Sequence, residues 1–387
     1  MCGTFEYGLN AAAKEFDGKN KYIRITDIDD ASREFLLSDL SSPDICLDGM
    51  SKYLLSSGDI VFARTGASVG KTYIYRENDG IVYFAGFLIR AKVNQDNDAE
   101  FVFQSTLSPS YEKYIRITSQ RSGQPGVNAQ EYGEYDLFAP SKEEQQRIGH
   151  FLRGIDSLIT LHQRKYDKLQ VLKKAMLEKM FPKNGSSVPE IRFKGFTDAW
   201  EQRKLSEIAG KVTEKNTGLQ YVETLTNSAE FGIISQRDFF DHDISKLGSL
   251  DGYYIVRNED FVYNPRISTS APVGPINRNK LGRTGVMSPL YTVFRPHDID
   301  TTYLEHFFKC GYWYSFMNFN GDSGARSDRF SIKDDVFFQM PIPVPHIEEQ
   351  RKIGLFLTQL DHLITLHQRE LEKLQNIKKS MLEKMFV

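Results

Sequence analysis

The sequence repeats one long segment near its middle and again at its end. Residues 143–181, EEQQRIGHFLRGIDSLITLHQRKYDKLQVLKKAMLEKMF, return at residues 348–386 as EEQRKIGLFLTQLDHLITLHQRELEKLQNIKKSMLEKMF. About two thirds of the paired positions are identical, and the offset between the copies is 205 residues. The chain of 387 residues therefore consists of two similar halves, each a long mixed segment followed by one repeated segment.

The repeated segment has the pattern of a long helix. In both copies apolar residues recur at alternating steps of four and three, without an internal proline, which is typical of a coiled-coil seam. Each helix of about forty residues would be about 60 Å long. We expect the two helices to pair antiparallel, as an internal version of a twofold dimer. The predicted seam residues are Ile148, Leu152, Ile155, Ile159 and Leu169, and in the second copy Ile353, Leu357, Leu360, Ile364 and Leu374.

His162 and His367 interrupt the predicted seam at matching places. A polar residue at such a position commonly sets the register of a helix pair. We expect these two histidines to be satisfied across the helix interface rather than to bind a ligand.

A shorter similarity links the two mixed segments. LSSGDIVFARTGASVGKTYIY, from Leu55, corresponds to VRNEDFVYNPRISTSAPVGPINR, from Val256. The first of these resembles a phosphate-binding loop, but its glycines are one residue too close, and the second copy has Pro275 in place of Lys71. The flanking residues read as strand, turn and strand. The pattern therefore predicts a hairpin turn, and an enzyme that uses Lys71 to bind nucleotide is disfavoured.

Composition excludes several classes of protein. Cys2, Cys46 and Cys310 lack the spacing of a zinc site or a disulfide framework. The sequence begins without a basic and apolar export signal, and nowhere do about eighteen apolar residues run together. We expect a cytoplasmic protein that binds no metal.

The segment between the halves, PKNGSSVPEIRFKGFTDAWEQRKLSEIAGKV, begins with a linker at residues 182–187. A short amphipathic helix is predicted at residues 200–208. By the symmetry of the repeat, about 25 equivalent residues would precede Met1.

With these features together, the chain resembles the DNA-specificity subunit of type I restriction-modification systems over essentially its whole length. The resemblance rests on the two GDIV-like strands, at residues 58–61 and 259–262, and on the two proline-rich strands that run into E-Q helices, APSKEEQQRI and IPVPHIEEQRKI. The segment PEIRFKGFTDAWEQRKL, residues 189–205, looks like the one that introduces a recognition domain in this family.

The resemblance implies an α+β fold with two mixed α/β target-recognition domains separated by two long helices that pair as an antiparallel coiled coil. The expected segments are residues 1–141, the first recognition domain; 142–181, the first helix; 182–345, the linker and second domain; and 346–387, the second helix.

The resemblance also implies a function. Each domain would read one half of a bipartite site on double-stranded DNA, while the helices set the spacing and dock two DNA-methyltransferase subunits, which recruit restriction subunits. The chain itself would be non-catalytic, with S-adenosylmethionine, ATP and Mg²⁺ only on partner subunits. Consistently, the sequence has no [ND]-P-P-[YF] motif, Asn264-Pro265-Arg266 being the nearest approach, and no complete Walker loop.

Two polar, glycine-containing loops in each half are the candidates for reading DNA. Arginine, glutamine and asparagine present planar hydrogen-bonding groups to base edges, whereas serine and threonine suit phosphate contacts. The candidates are Arg64, Thr65, Ser68, Lys71, Gln120, Arg121 and Gln124 in the first half, and Arg266, Ser268, Thr269, Ser270, Ser323, Arg326 and Arg329 in the second.

The alternative is a coiled-coil scaffold or adaptor without a role on DNA. It explains the two helices equally well, but it leaves the repeated hairpins and their arginine and glutamine loops unexplained.

Overall fold

The computed structural model describes residues 1–121, 123–183, 185–240, 247–323 and 328–386, apart from the side chains of residues 247–249. The strands are β1 (Cys2–Tyr7), β2 (Ala13–Glu15), β3 (Lys21–Ile23), β4 (Ser41–Pro43), β5 (Ile60–Ala63), β6 (Thr72–Ile74), β7 (Val82–Phe84), β8 (Leu88–Val93), β9 (Glu201–Lys204), β10 (Ala209–Lys211), β11 (Leu225–Ser228), β12 (Gly232–Ser235), β13 (Tyr254–Val256), β14 (Phe261–Tyr263), β15 (Ile276–Arg278), β16 (Gly285–Met287), β17 (Thr292–Pro296) and β18 (Pro341–Val344). The α-helices are α1 (Ala99–Ser105), α2 (Pro109–Thr118), α3 (Ala129–Gly133), α4 (Lys142–Lys179), α5 (Gln236–Phe240), α6 (Thr301–Cys310), α7 (Tyr314–Asn320), α8 (Asp334–Phe337) and α9 (Ile347–Met385).

The chain forms two compact units. Unit 1 consists of Met1–Tyr166 and Leu366–Val387, and unit 2 consists of Asp167–Thr365. The sequence-based division made each long helix a segment of its own. The structure instead divides α4 and α9 near their middles, because the two halves of each helix pack into different cores.

Both units contain the same four-stranded antiparallel sheet. The strand order is β1-β8-β5-β6 in unit 1 and β10-β17-β14-β15 in unit 2. The strands at each place in the two sheets come from equivalent parts of the repeat. The α+β fold with an internal repeat is therefore confirmed.

An aspartate and an arginine lie close together in each sheet, but the two arginines occupy different registers: Arg90 is opposite Val61, whereas Val293, two residues before Arg295, is opposite Val262. Asp59, before β5, lies 3.5 Å from Arg90 of β8, and both side chains are buried. Asp260, before β14, binds Arg295 of β17 through both carboxylate oxygens, at 2.7 and 2.8 Å. Burial raises the pKa of Asp59, and the arginine beside it opposes that shift. Asp59, Arg90 and Asp260 are buried and support the sheet, whereas Arg295 is partly exposed.

A glutamine attaches each long helix to a short helix of its own domain. The side-chain oxygen of Gln145 in α4 accepts the N–H of Asp98, the N-cap of α1, at 3.1 Å. Gln350 in α9 accepts the N–H of Asp300, the N-cap of α6, at 2.9 Å. The repeated E-E-Q motif therefore fixes the start of each long helix.

Two glycines allow a close approach at the same place. A Cβ atom at Gly149 would lie 2.8 Å from the backbone nitrogen of Phe101 in α1. A Cβ atom at Gly354 would lie 3.1 Å from the backbone nitrogen of Tyr303 in α6. Both long helices thus touch the backbone of a short helix, which a larger side chain would prevent.

The end of α9 completes the core of unit 1. Leu382 and Phe386 are buried together with Leu152 and Ile155 of α4. The ring of Phe386 lies 5.0 Å from that of Phe101 in α1. These apolar side chains join the sheet, the short helices and both long helices in one cluster.

The end of α4 completes the core of unit 2 in the same way. Met180 and Phe181 are buried with Leu357 and Leu360 of α9. The ring of Phe181 lies 5.4 Å from that of Tyr303. Each helix therefore contributes its first half to one unit and its end to the other.

Equivalent ion pairs connect the two long helices. Asp156 of α4 lies 2.5 Å from Lys378 of α9 in unit 1, and Asp361 of α9 pairs with Lys173 of α4 in unit 2. The two pairs are equivalent, because Asp156 and Asp361, like Lys173 and Lys378, are separated by the repeat offset of 205 residues. In unit 1, Asp156 of α4 contacts Lys378 of α9, and His162, further along α4, contacts His367, which precedes Lys378 on α9. The two segments therefore run antiparallel.

The two histidines face each other, as predicted. The Nδ1 atoms of His162 and His367 lie 3.0 Å apart. This contact requires one nitrogen to donate and the other to accept, so at least one ring is neutral. The pKa of His367 is lowered, mainly by burial and secondly by the charge of His162.

The predicted seam residues pack into domain cores as well as against the partner helix. The cluster of unit 1 contains Ile148, Leu152, Ile155, Ile159 and Leu374, that of unit 2 contains Leu169, Ile353, Leu357 and Leu360, and Ile364 is half-buried. The opposite faces of α4 and α9 are exposed and carry both polar residues and leucines, among them Leu158 and Leu363. No helix within the described ranges has the length and apolar character required to cross a membrane.

Two sequence-based assignments are wrong. Residues 200–208 do not form an amphipathic helix: β9 pairs with β18, and one 3-10 turn follows at Leu205–Glu207. The first proline-rich segment, residues 136–140, is not a strand, whereas its equivalent is β18. In both cases strand pairing, which the local pattern does not encode, decides the conformation.

We predict that Leu152→Ala or Leu357→Ala lowers the free energy of unfolding by about 2–5 kcal/mol, because each leaves a cavity in a closed core. Urea unfolding of the full chain measures the effect. Leu158→Ala is the matched control, because Leu158 is an exposed leucine on α4 and its truncation leaves no cavity. Equal losses for buried and exposed leucines would contradict this account of the cores.

Candidate nucleic-acid interface

The first predicted loop of each unit is the turn of a hairpin. β5 and β6 pair antiparallel, and so do β14 and β15. Gly70 and Gly274 occupy equivalent places in the two turns, with φ of 83° and 86°. This left-handed conformation favours glycine. The hairpin interpretation is confirmed, and the likeness of residues 66–72 to a phosphate-binding loop is superficial.

Buried tyrosines fix both turns. In unit 1 the hydroxyl of Tyr132 donates to the carbonyl of Ala63 at 2.7 Å, and that of Tyr111 donates to the carbonyl of Gly70 at 3.1 Å. In unit 2 the hydroxyl of Tyr263 donates to the carbonyl of Val273 at 2.9 Å. Burial raises the pKa of each of these tyrosines, which keeps the hydroxyls protonated as donors.

The two predicted loops of unit 1 are joined through their backbones. The N–H of Gly66 donates to the carbonyl of Pro125 at 3.0 Å, and the N–H of Val127 donates to the carbonyl of Arg64 at 2.9 Å. Residues 64–71 and the described residues of 119–124 therefore belong to one surface, although about fifty residues of chain separate them.

The two predicted loops of unit 2 are joined in the same manner. The N–H of Ile267 donates to the carbonyl of Asp328 at 3.1 Å, and the N–H of Phe330 donates to the carbonyl of Pro265 at 2.7 Å. The same arrangement thus occurs twice, on equivalent edges of equivalent sheets. A rigid scaffold that presents polar loops is the usual construction of a binding surface.

The candidate side chains of unit 1 fall into two groups. Lys71 forms an ion pair with Asp30, and Arg121 forms one with Glu131. Arg64, the remaining basic candidate, forms no ion pair with a described residue and is partly exposed. Thr65 and Ser68 are also partly exposed, and Gln120 and Gln124 are exposed. The two glutamines are therefore the candidates best placed to bind an external group.

Arg64 is held between two aromatic rings. Its guanidinium carbon lies 5.1 Å from the ring centre of Tyr7 and 5.9 Å from that of Phe87. The Nε atom is buried and has no hydrogen-bond partner among the described residues. Such stacking fixes the orientation of the guanidinium plane.

The candidates of unit 2 are more exposed. The side chains of Arg266 and Arg329 form no ion pair with a described residue, and the hydroxyls of Ser268 and Ser270 lie 3.3 Å apart. Thr269 and Ser323 are exposed. Ser323 and Arg329 line a cavity of about 510 Å³ together with Tyr254 and Tyr291. Arg326 lies outside the described residues. Two exposed arginines that form no ion pair within the described part of the chain thus distinguish this surface from that of unit 1.

Sequence reasoning missed one apolar position of the interface. Phe87 is 56% exposed beside Arg64, and its equivalent Leu290 is 59% exposed and lines the cavity with Arg329. Strand register places both in the turn between two strands: Phe87 lies three residues before Arg90, which is opposite Val61, and Leu290 lies three residues before Val293, which is opposite Val262. An apolar residue at a turn in both copies is the signal that could have identified them.

The family comparison covers both halves of the chain. The sequence model of the family described as "Type I restriction modification DNA specificity domain" matches residues 7–171 and 197–376. The chain belongs to this family. The two matches begin and end close to the limits of the repeat, so each recognition domain and most of its long helix constitute one copy of the family's domain.

Curated relatives agree with this assignment. The chain is 22% identical over 365 residues to the type I restriction enzyme MjaVIII specificity subunit of Methanocaldococcus jannaschii, covering 91% of this chain and 83% of that protein. It is 25% identical over 361 residues to the putative type I restriction enzyme MjaX specificity subunit of the same organism, covering 88% and 80%. A crystal structure of a type I restriction-modification S subunit from M. genitalium has a similar fold, with a TM-score of 0.55 at 13% identity, over 99% of this chain and 93% of that one.

We predict different effects of alanine at two glycines with positive φ in unit 2. A Cβ atom at Gly274 would lie 2.1 Å from the carbonyl oxygen of Asn264, whereas nothing lies within 4 Å of one at Gly282. Gly282→Ala should cost about 1 kcal/mol of unfolding free energy, from backbone strain alone. Gly274→Ala should cost about 2–4 kcal/mol, because the clash adds to the strain. Denaturant titration decides; equal costs would contradict the turn geometry.

Proposed function

We propose that the chain is the DNA specificity subunit of a type I restriction-modification complex, and that each unit reads one half of a bipartite site on double-stranded DNA. The observation that carries the proposal is the paired loop, joined backbone to backbone, which occurs once on each sheet. An adaptor without a role on DNA would not require two such surfaces with exposed amides and guanidinium groups.

The chemistry of the two surfaces suits base edges. Glutamine pairs with the N6 and N7 groups of adenine, and arginine with O6 and N7 of guanine. Gln120 and Gln124 are exposed in unit 1, and Arg266 and Arg329 in unit 2. Serine and threonine in the same loops suit phosphate contacts.

The charge of the first domain argues that it binds DNA with help. Residues 1–140 contain 14 lysines and arginines against 20 aspartates and glutamates, a balance of −6. Binding to phosphates gains free energy from the release of counterions by basic residues. Because this domain has a net negative charge, tight binding requires partner subunits that enclose the duplex.

The long helices offer two equivalent docking faces. Leu158 and Leu161 on α4 are exposed, and so are their repeat equivalents, Leu363 and Leu366 on α9. Two copies of one apolar face suit two copies of one partner. We assign these faces to two DNA-methyltransferase subunits, through which restriction subunits join, and we assign the spacing of the half-sites to the length of the helices.

Catalysis resides in the partners under this proposal. S-adenosylmethionine, ATP and Mg²⁺ bind the methyltransferase and restriction subunits, and this chain contributes recognition alone. The complex works in the cytoplasm, where its DNA substrate lies.

We predict that loop substitutions alter one half-site at a time. In the complex reconstituted with its methyltransferase, Gln120→Ala with Gln124→Ala should relax base discrimination about tenfold or more in one half-site, and Arg266→Ala with Arg329→Ala in the other. Methylation mapping on a randomised DNA library measures this. Gln170→Ala, at an exposed glutamine of α4, is the control.

Exchange of residues 1–140 for those of a relative should likewise change one half-site only. If the double substitution in either unit altered both half-sites together, the assignment of one unit to one half-site would be wrong. Unchanged discrimination in a folded double variant would remove the loops from the interface.

We predict that Leu158→Glu or Leu363→Glu reduces the number of bound methyltransferase subunits from two to one, because a buried charge opposes docking of the apolar face. Native mass spectrometry of the purified complex counts them. Val171→Glu is the matched control: Val171 is an exposed apolar residue of α4, but its repeat equivalent is Asn376, so it lies outside the repeated face. Two bound subunits in both leucine variants would contradict the assignment.

A further inference from the structure

The two units differ at one sheet edge. In unit 2, β18 pairs antiparallel with β9, in the register Ile342 with Arg203. The N–H of Leu205 donates to the carbonyl of Met340 at 2.8 Å. By the alternation of an antiparallel ladder, the backbone groups of Ile342 and Val344 therefore point at β9. The prolines of β18, which have no N–H, occupy the other positions.

The segment that ends in β9 also binds unit 2 through its side chains. Arg192 forms two hydrogen bonds with the buried carboxylate of Glu349, at 2.6 and 2.8 Å. The ring of Phe193 lies 6.0 Å from that of Phe356. These contacts attach the segment to the first turns of α9.

Trp200 adds an apolar contact just before β9. Its ring lies 6.5 Å from that of Phe181 and 6.0 Å from that of Tyr303, the two rings at which α4 ends on α6. Residues 189–204 thus carry an arginine, a phenylalanine, a tryptophan and a strand in fixed order.

Unit 1 has the receiving side of every one of these contacts. Repeat equivalents of Ile342, Val344, Glu349 and Phe356 are Leu137, Ala139, Glu144 and Phe151, and the rings that receive Trp200 correspond to Phe386 and Phe101. The receiving residues are therefore present in both copies, although in unit 1 no described strand covers them.

The backbone and carboxylate groups of this receiving side are open in unit 1, whereas Phe101 and Phe386 are buried. The N–H and C=O groups of residues 136–139 form no hydrogen bond with a described residue, and Phe138 between them is 86% exposed. Glu144 is exposed and forms no ion pair with a described residue, and Phe151 is 49% exposed. An open groove of about 680 Å³ runs beside Phe151, lined by Arg147 and His150.

We propose that this edge of unit 1, residues 137–151, is a docking site for a polypeptide segment of the same chemistry as residues 189–204. The bound segment forms an antiparallel strand on Leu137 and Ala139, its arginine binds Glu144, and its phenylalanine packs on Phe151. Addition of a strand to an open edge is a common mode of peptide recognition. The equivalent segment in unit 2 shows that the receiving groups suit such a partner.

A second copy of this chain is a poorer occupant. Its own β9 is already paired with β18, and release of that strand would expose Ile342 and the buried carboxylate of Glu349. A charged carboxylate left without its arginine in a buried place is costly.

The test uses the full chain and a labelled synthetic peptide, SVPEIRFKGFTDAWEQRKLS, residues 187–206. Fluorescence anisotropy should show saturable binding of one peptide, and hydrogen exchange should slow at the amides of Leu137 and Ala139. A peptide with Arg192→Glu should bind about tenfold more weakly, as for loss of a charged contact. Glu144→Arg in the chain should restore the binding of that peptide.

Glu178→Arg is the control in the chain. Glu178 is an exposed glutamate of α4 outside residues 137–151, so this change should leave peptide binding within about twofold. The proposal is overturned if the peptide does not bind, or if exchange slows at Ile342 and Val344 instead, which indicates displacement of β9. If the chain does not bind the peptide but forms a dimer, and Phe138→Glu abolishes that dimer, the edge binds a second copy of the chain instead.

Discussion

The contact of Phe386 with Phe101, and of Phe181 with Tyr303, is the constraint on which both units depend. In each case the end of one long helix closes the core of the unit in which the other long helix begins. Most of the stability of a helix in a protein comes from packing of its apolar face rather than from local propensity, and these helices of 38 and 39 residues pack both of their halves. Because neither core is complete without the other helix, folding of the two halves of the chain is coupled, and the helices cannot be lost without loss of both recognition surfaces.

Much of this architecture could be predicted from the sequence because its signals are local or repeated. The helix period, the paired histidines and the hairpin turn at Gly70 depend on neighbouring residues or on comparison of the two copies. The strand β9 could not be predicted in this way. Trp200, Leu205 and Ile208 are all buried, and their spacing resembles that of one face of a helix. Their conformation is set by β18, about 140 residues further along the chain. The same reason explains residues 136–140, whose pattern resembles β18 but which have no paired strand among the described residues.

The candidate interface could be predicted only in part. Both loops of each unit were identified, and the backbone hydrogen bonds that join them are consistent with a shared role. The state of each side chain depends on residues distant in sequence, which explains why Asp30 beside Lys71 and Glu131 beside Arg121 were not foreseen. An arginine or lysine in an ion pair must exchange partners to bind a phosphate or a base, so it contributes less free energy than an unpaired one. Exposure and pairing together thus rank the candidates more sharply than residue type does.

The repeat separates what supports the fold from what determines specificity. Strand order, the aspartates Asp59 and Asp260 and the turn glycines are equivalent in both units, because each is required for the sheet and its hairpin. The exposed loop side chains differ: amides dominate in unit 1 and guanidinium groups in unit 2. Since amides and guanidinium groups match different base edges, the two units would prefer different sequences under the proposed function. An asymmetric site is therefore the expected consequence of a symmetric fold whose loops have diverged.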